Sequence, residues 1–177
     1  MTARLLGPAD AALWRALWAE ALAEAPEAFA RRAQNSPAAS PEATAARLTS
    51  LRAFVWQEAA AAGQSSHGLP ASLPAAASAP EALACALWCR ETDPALPRRG
   101  WVEAVFVRPH ARGRGLAARL LDALAEDARA HGIRELWLEV GRANAPALAA
   151  YARAGFAPAP APASRADEIA LCRALAP

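Results

Sequence analysis

Lysine is absent from all 177 residues. The basic side of the chain is therefore arginine alone, and nineteen arginines against seventeen acidic residues leave a net charge of only +2. Acids are interspersed among the bases, so no basic patch of the kind a nucleic-acid surface needs is present. The protein also has no side-chain amine of its own to be modified. Cysteine is scarce: Cys85, Cys89 and Cys172 form an odd, scattered set that excludes a disulfide framework. Cys85 and Cys89 fall in a strand-like run, where residues four apart lie about 13 Å from each other, too far to share a tetrahedral metal. Buried, reduced thiols and a cytoplasmic location are the expectation. Long apolar runs are missing too. No window approaches ~18 consecutive apolar residues except through alanine, and the opening Met-Thr-Ala-Arg-Leu-Leu-Gly-Pro does not read as a signal peptide.

What is abundant is alanine, roughly three residues in ten, so the 55% hydrophobic content overstates the core. The length still suits one domain with a core of its own. Arg4-Leu5-Leu6 is a short strand candidate. Pro8 and Asp10 introduce a helix to about Ala25, with Leu13, Trp14, Leu17 and Trp18 on one broad apolar face. Ser40-Pro41-Glu42 opens a second helix reaching about Ser50, since serine caps and proline suits the first turn. Arg52 to Gln57 reads as a strand. Residues 60–80 are Ala, Gly, Ser and Pro with His67 among them, the composition of a flexible loop. Leu83–Arg90 and Trp101–Val107 read as strands around a turn containing Asp93-Pro94. Gly113 to Ala130 repeats Leu116, Leu120, Leu124 and Ala128 at helical spacing and stops at His131-Gly132. Leu136, Leu138 and Val140 alternate with polar residues as in a strand. Ala145–Ala154 is a short helix with Pro146 in its first turn. Pro158–Pro162 is an Ala-Pro spacer, and Asp167–Leu175 a last strand.

The turn Arg112-Gly113-Arg114-Gly115-Leu116-Ala117 joins a strand to a helix. Such a turn gathers backbone N–H groups at the positive end of the helix dipole, a ready anion site. Gly113 and Gly115 carry no Cβ, so a phosphate can approach the main chain, and Arg112 and Arg114 add mobile charge. The stretch Val105 to Ala117, followed by Asn144, Ala147, Tyr151 and Gly155-Phe156, resembles the GNAT superfamily of acetyl-CoA-dependent N-acetyltransferases. Arg112, Gly115 and Ala117 fall on the family's phosphate-turn pattern. The resemblance implies an α/β (α+β) fold. It would be a mixed, mostly antiparallel sheet of six to seven strands flanked by about four helices, in the order β-α-α-β-β-β-α-β-α-β-β.

The same resemblance implies acetyl-CoA as acyl donor, no metal, and an amine acceptor. The turn residues would hold the pyrophosphate. A strand bulge would offer the main chain of Val105, Phe106 and Val107 to the thioester oxygen and pantetheine. Tyr151, the only tyrosine, falls where the family places the acid that protonates the departing thiolate, although an aromatic ring packed under a strand would look the same. Asn144 suits a helix cap and by resemblance a pantetheine contact. For the base, strand alternation places Glu103 on the face of Trp101, Val105 and Val107. Among apolar neighbours its pKa would be raised, which suits proton removal from an ammonium. Acceptor anchor and plain solvated glutamate stay open. Direct transfer needs no nucleophilic residue, so no covalent role falls to the cysteines.

The acceptor is expected near residues 20–45, with Glu20, Glu24, Glu27 and Glu42 able to favour a cationic amine, or simply forming a solvated face. A catalytically weak acyl-CoA-binding module, serving as sensor or interaction domain, is the alternative to an enzyme. A homodimer stays open as well.

Overall fold

The computed structural model describes residues 2–29, 40–58, 80–161 and 163–176. But for Pro80, the loop expected over 60–80, with His67, lies outside these residues, as does the 30–39 part of the expected acceptor region.

Seven strands form one sheet: β1 (Thr2–Leu5), β2 (Arg52–Gln57), β3 (Ala82–Arg90), β4 (Arg99–Val107), β5 (Glu135–Gly141), β6 (Ala157–Pro158) and β7 (Glu168–Ala174). Their order across the sheet is β1-β2-β3-β4-β5-β7-β6. Every pairing is antiparallel except β4 with β5. The α-helices include α1 (Ala11–Glu24), α2 (Pro41–Arg47), α3 (Leu116–Ala130) and α4 (Ala145–Arg153). The expected mixed sheet and element order are thus present. The two-residue β6 forms at the start of the Ala-Pro spacer because Ala157 and Pro158 lie along β7, opposite Cys172 and Leu171.

Two apolar cores lie on opposite faces of the sheet. The first packs Leu116, Leu120, Leu121 and Leu124 of α3 against Trp88, Val102, Leu136 and Leu138. The second packs Leu17 and Ala21 of α1 against Val55, Cys85, Leu87 and Phe106. Alternation builds both. In β3, Ala84, Ala86 and Trp88 face α3, while Cys85 and Leu87 face α1. Cys85 is fully buried, and burial, with Glu20 nearby, pushes its thiol up to about 12, so it stays protonated and inert. Cys89 and Cys172, expected buried, are only half so. They end a row running Cys89, Trp101, Trp137, Cys172 across four strands, on a stretch of sheet remote from α1. No described helix is long and apolar enough to cross a membrane.

Helix α3 begins at Leu116, three residues later than the sequence suggested, because Gly113 (φ +78°) and Gly115 (φ +73°) are left-handed and cannot belong to a right-handed helix. Its other end is tied to the sheet. Asp127 accepts hydrogen bonds from Arg52 Nε (2.9 Å) and Trp88 Nε1 (2.8 Å), joining α3 to β2 and β3. Burial pushes the Asp127 carboxyl up, but the bonds from Arg52 and Trp88 outweigh it and hold the group below the usual carboxylate range.

Removing this carboxylate strands a guanidinium and an indole N–H in a half-buried site. Asp127→Ala should therefore lower stability by about 2–3 kcal/mol in urea denaturation. Because the folded-state pKa is depressed, the contribution is complete above pH ~4 and fades as pH falls below it. In the variant, that part of the acid-side loss of stability should be missing.

Candidate active site

The strand that forms the centre of the site does not alternate regularly. Leu87 of β3 lies opposite Glu103, but Cys85, two residues earlier, lies opposite Phe106, three residues later. One extra residue in β4 therefore faces β3, a β-bulge. Ala104 sits at it with φ +53°, the one non-glycine residue with positive φ among the described residues. The extra residue reverses the facing of everything beyond it. Val102 belongs to the α3 core, and so do Val105 and Val107, while Ala104 and Phe106 enter the α1 core. Regular alternation would have put Glu103 on the side of Val105 and Val107. It shares a face with Trp101 as expected, but lies across the sheet from the two valines.

The bulge coincides with a parting of strands. β4 and β5 pair only at Arg99–Glu135, Gly100–Leu136 and Trp101–Trp137. Beyond Trp101, the β4 residues have no partner on β5. A wedge opens there, edged on one side by the main chain of Val105, Phe106 and Val107. Backbone groups on such an edge are available to a ligand.

On the α3 face of this wedge lies the glycine turn. An added Cβ at Gly113 or Gly115 would meet nothing within 4 Å, so the main chain there is open. Gly115 caps α3 without any side-chain bond to the helix's first N–H groups. These donors, at the positive end of a helix of 15 residues, suit a phosphate. Leu116 is buried beneath the turn and Ala117 half-buried. Arg112 Nε bonds the carbonyl of Val107 (3.2 Å), and its Nη1 meets Glu24 (3.2 Å). Arg114 Nη2 donates to Glu58 (2.7 Å).

Tyr151, on α4, packs on this same face against the α3 core, its ring edge-on to Phe156 at 6.0 Å. Asn144 caps α4, its Oδ1 accepting from Ala147 N at 3.2 Å, as the sequence suggested.

On the opposite face, an open cleft of about 280 Å³ is lined by Glu91, Trp101, Glu103, Glu139 and Ser164, with Arg90 at its edge. Glu103 and Glu139 stand two residues beyond the last β4–β5 pair, one on each side of the wedge. Ser164 donates to Glu139 Oε1 through both its N–H (2.6 Å) and its hydroxyl (2.7 Å). Trp101 Nε1 donates to Glu91 Oε2 at 2.6 Å, and this bond, reinforced by the N–H groups of Asp93 and Thr92, holds the Glu91 carboxyl below the usual range. Arg90 turns to the carbonyl of His131 (2.5 Å). The cleft is therefore acidic. Neither Glu91 nor Glu139 stood out in the sequence. Alternation did put Glu139 on the face opposite Leu138, but only the parallel β4–β5 pairing makes that the face of Trp101 and Glu103.

A wedge between parallel strands, a bulge beside it and an anion turn at the next helix make up a recognisable set. Residues 55–156, more than half of the chain, match the family model described as Acetyltransferase (GNAT) family. The chain belongs to the GNAT acetyltransferase family.

Among curated relatives, streptothricin acetyltransferase of Streptomyces lavendulae is 46% identical over 56 residues, covering 32% of this chain and 30% of that protein. IAA acetyltransferase of Azospirillum brasilense is 43% identical over 58 residues, covering 33% of this chain and 38% of that protein. The matched stretch thus spans only about a third of each relative. Over the whole chain, the acetyltransferase of GNAT family from Streptococcus pneumoniae superposes with a TM-score of 0.68 at 15% identity, covering 99% of both chains. That likeness is one of fold.

In this member of the GNAT acetyltransferase family the bulge depends on an alanine accepting a left-handed backbone. Glycine takes that conformation freely, and a β-branched residue resists it strongly. Ala104→Gly should keep acetyl-transfer activity, whereas Ala104→Val should lose most of it and at least about 1–2 kcal/mol of stability. Parallel thermal melts and activity assays check both.

Proposed function

We propose that the protein transfers an acetyl group from acetyl-CoA to a primary amine of a small cationic molecule, by direct attack within a ternary complex. The observation that carries this reading is the extra residue at Ala104. It leaves the anion turn and Tyr151 on one face of the sheet and the acidic cleft on the other, with the β4–β5 wedge connecting them.

On the donor side, the main chain of Gly113, Arg114, Gly115, Leu116 and Ala117 would receive the pyrophosphate, with the side chains of Arg112 and Arg114 beside it. The edge of Val105, Phe106 and Val107, with Asn144 across the wedge, would receive pantetheine. A main-chain N–H at the bulge would polarise the thioester carbonyl, a role worth about 3–4 kcal/mol in comparable sites. On the acceptor side, the negative cleft favours a cationic amine. Both relatives are named for compounds rather than proteins, which supports a small-molecule acceptor.

The steps balance without any covalent enzyme intermediate. Glu103 takes a proton from the ammonium, directly or through water, and Glu139, steadied by Ser164, holds the acceptor's positive charge. The free amine attacks the carbonyl carbon, the C–S bond breaks, and Tyr151 gives its proton to the departing thiolate. The second proton on the new amide nitrogen passes, directly or through water, to the Tyr151 phenolate and restores it. A phenol and an alkyl thiol of similar basicity make this transfer nearly level in energy.

Three variants test the reading. Gly115→Glu puts a carboxylate where the pyrophosphate would sit, and calorimetric titration should show acetyl-CoA binding lost. Absence of binding by the wild type up to millimolar donor would overturn the proposal. Tyr151→Phe should lower kcat on the order of a hundredfold with little change in the donor KM; equal changes in both would mark the ring as packing alone. Glu103→Gln should lower kcat/KM at least about tenfold. Unchanged turnover would remove Glu103 from the chemistry.

A further inference from the structure

Arg108, Arg112 and Arg114, beside and within the glycine turn, are each met by a carboxylate from a neighbouring element, and the contacts are of two kinds. Arg108 spends its whole fork: Nε and Nη2 bond the two oxygens of Glu20 (2.8 and 2.6 Å), and Nη1 bonds Glu81 (2.7 Å). Its side chain is only 20% exposed. These bonds pin α1 to the end of β4 and commit each of the three guanidinium nitrogens to a carboxylate. Arg112 and Arg114 differ. Arg112 meets Glu24 and Arg114 meets Glu58, and the two arginine side chains are 51% and 38% exposed. Exposed ion pairs of this type are worth at most about 1 kcal/mol. They are strong enough to place a guanidinium and weak enough to be displaced.

We infer that Glu24 and Glu58 are internal competitors of the donor's phosphates: they occupy Arg112 and Arg114 in the free protein and surrender them when the donor binds. The inference rests on the donor reading of the turn given above. A phosphate entering between Gly113 and Gly115 meets main chain with open space beside it among the described residues. To recruit the two guanidinium groups it must also displace Glu24, at the end of α1, and Glu58, just after β2. The free energy of breaking those contacts is subtracted from the affinity for the donor. A carboxylate that merely braced the fork would have the opposite effect, because its loss would weaken binding.

The test is calorimetric titration of the wild type, Glu24→Gln, Glu58→Gln and the double variant Glu58→Gln/Arg114→Gln. The ligands are acetyl-CoA and S-acetylpantetheine, which carries the same thioester without phosphates. Each single variant should bind acetyl-CoA roughly two- to fivefold more tightly than the wild type and S-acetylpantetheine equally well. The gain from Glu58→Gln should disappear when Arg114 is also replaced. Unchanged or weaker acetyl-CoA binding in both single variants would overturn the inference, as would an equal gain with S-acetylpantetheine. Those results would leave the donor reading intact, since the wild type would still bind. A wild type that binds no acetyl-CoA would overturn the donor reading itself.

Discussion

Between Glu103 and Phe106 the β4 backbone carries one residue more than β3 opposite it, and the rest of the molecule is arranged around that surplus. A strand with perfect alternation would keep all its odd residues on one face. It would then have put Glu103 beside Val105 and Val107, in the core under α3. The surplus residue lets β4 serve both cores and present a carboxylate to the open cleft as well. It falls just past the point where β5 ceases to pair, so the irregular backbone borders a wedge rather than a continuous ladder.

A left-handed alanine in a strand is unfavourable and persists only where the surroundings over-determine it. Ala104 is 4% exposed and Phe106, just beyond it, 5%, both locked into the α1 core. On the other face, α3 is held at both ends. Asp127 binds it to β2 and β3, and Leu116 buries its first turn. The anion turn is thus mounted on a helix that cannot shift without breaking contacts at its far end. Asp127, near the C-terminus of α3, thus ties to the sheet the helix whose N-terminus follows the glycine turn.

The parts legible in the sequence were those whose signal is local. Leucines at helical spacing marked α3, Asn144 announced its cap, and Gly113 and Gly115 marked the turn. The start of α3 was misplaced because amphipathic spacing continues through residues whose φ forbids a helix. The facing of Glu103 was misjudged because alanine gives no sign that position 104 departs from extended geometry. A bulge was expected only through family resemblance, in the strand of Val105, Phe106 and Val107, and nothing in the sequence pointed to Ala104. Glu139 and Glu91 went unnoticed for a different reason. Their relation to Trp101 depends on strands β3, β4 and β5 being neighbours, and pairing between distant segments leaves no local trace. The carboxylates around the turn are similar: Glu20 and Glu24 read as acceptor-favouring charges or a solvated helix face, and only packing shows that they meet Arg108 and Arg112.

The indole of Trp101 lines the cleft with its N–H fixed to Glu91, and the Trp137 ring stands 6.2 Å away, centre to centre. Indole emission responds to the polarity and charge around the ring. Trp101 adjoins the space between Glu103 and Glu139, so an amine entering the cleft changes its surroundings, while Trp88, 1% exposed, stays shielded from such an event. The protein therefore carries its own optical probe of this cleft. Unlabelled compounds can be screened by fluorescence before any turnover is sought.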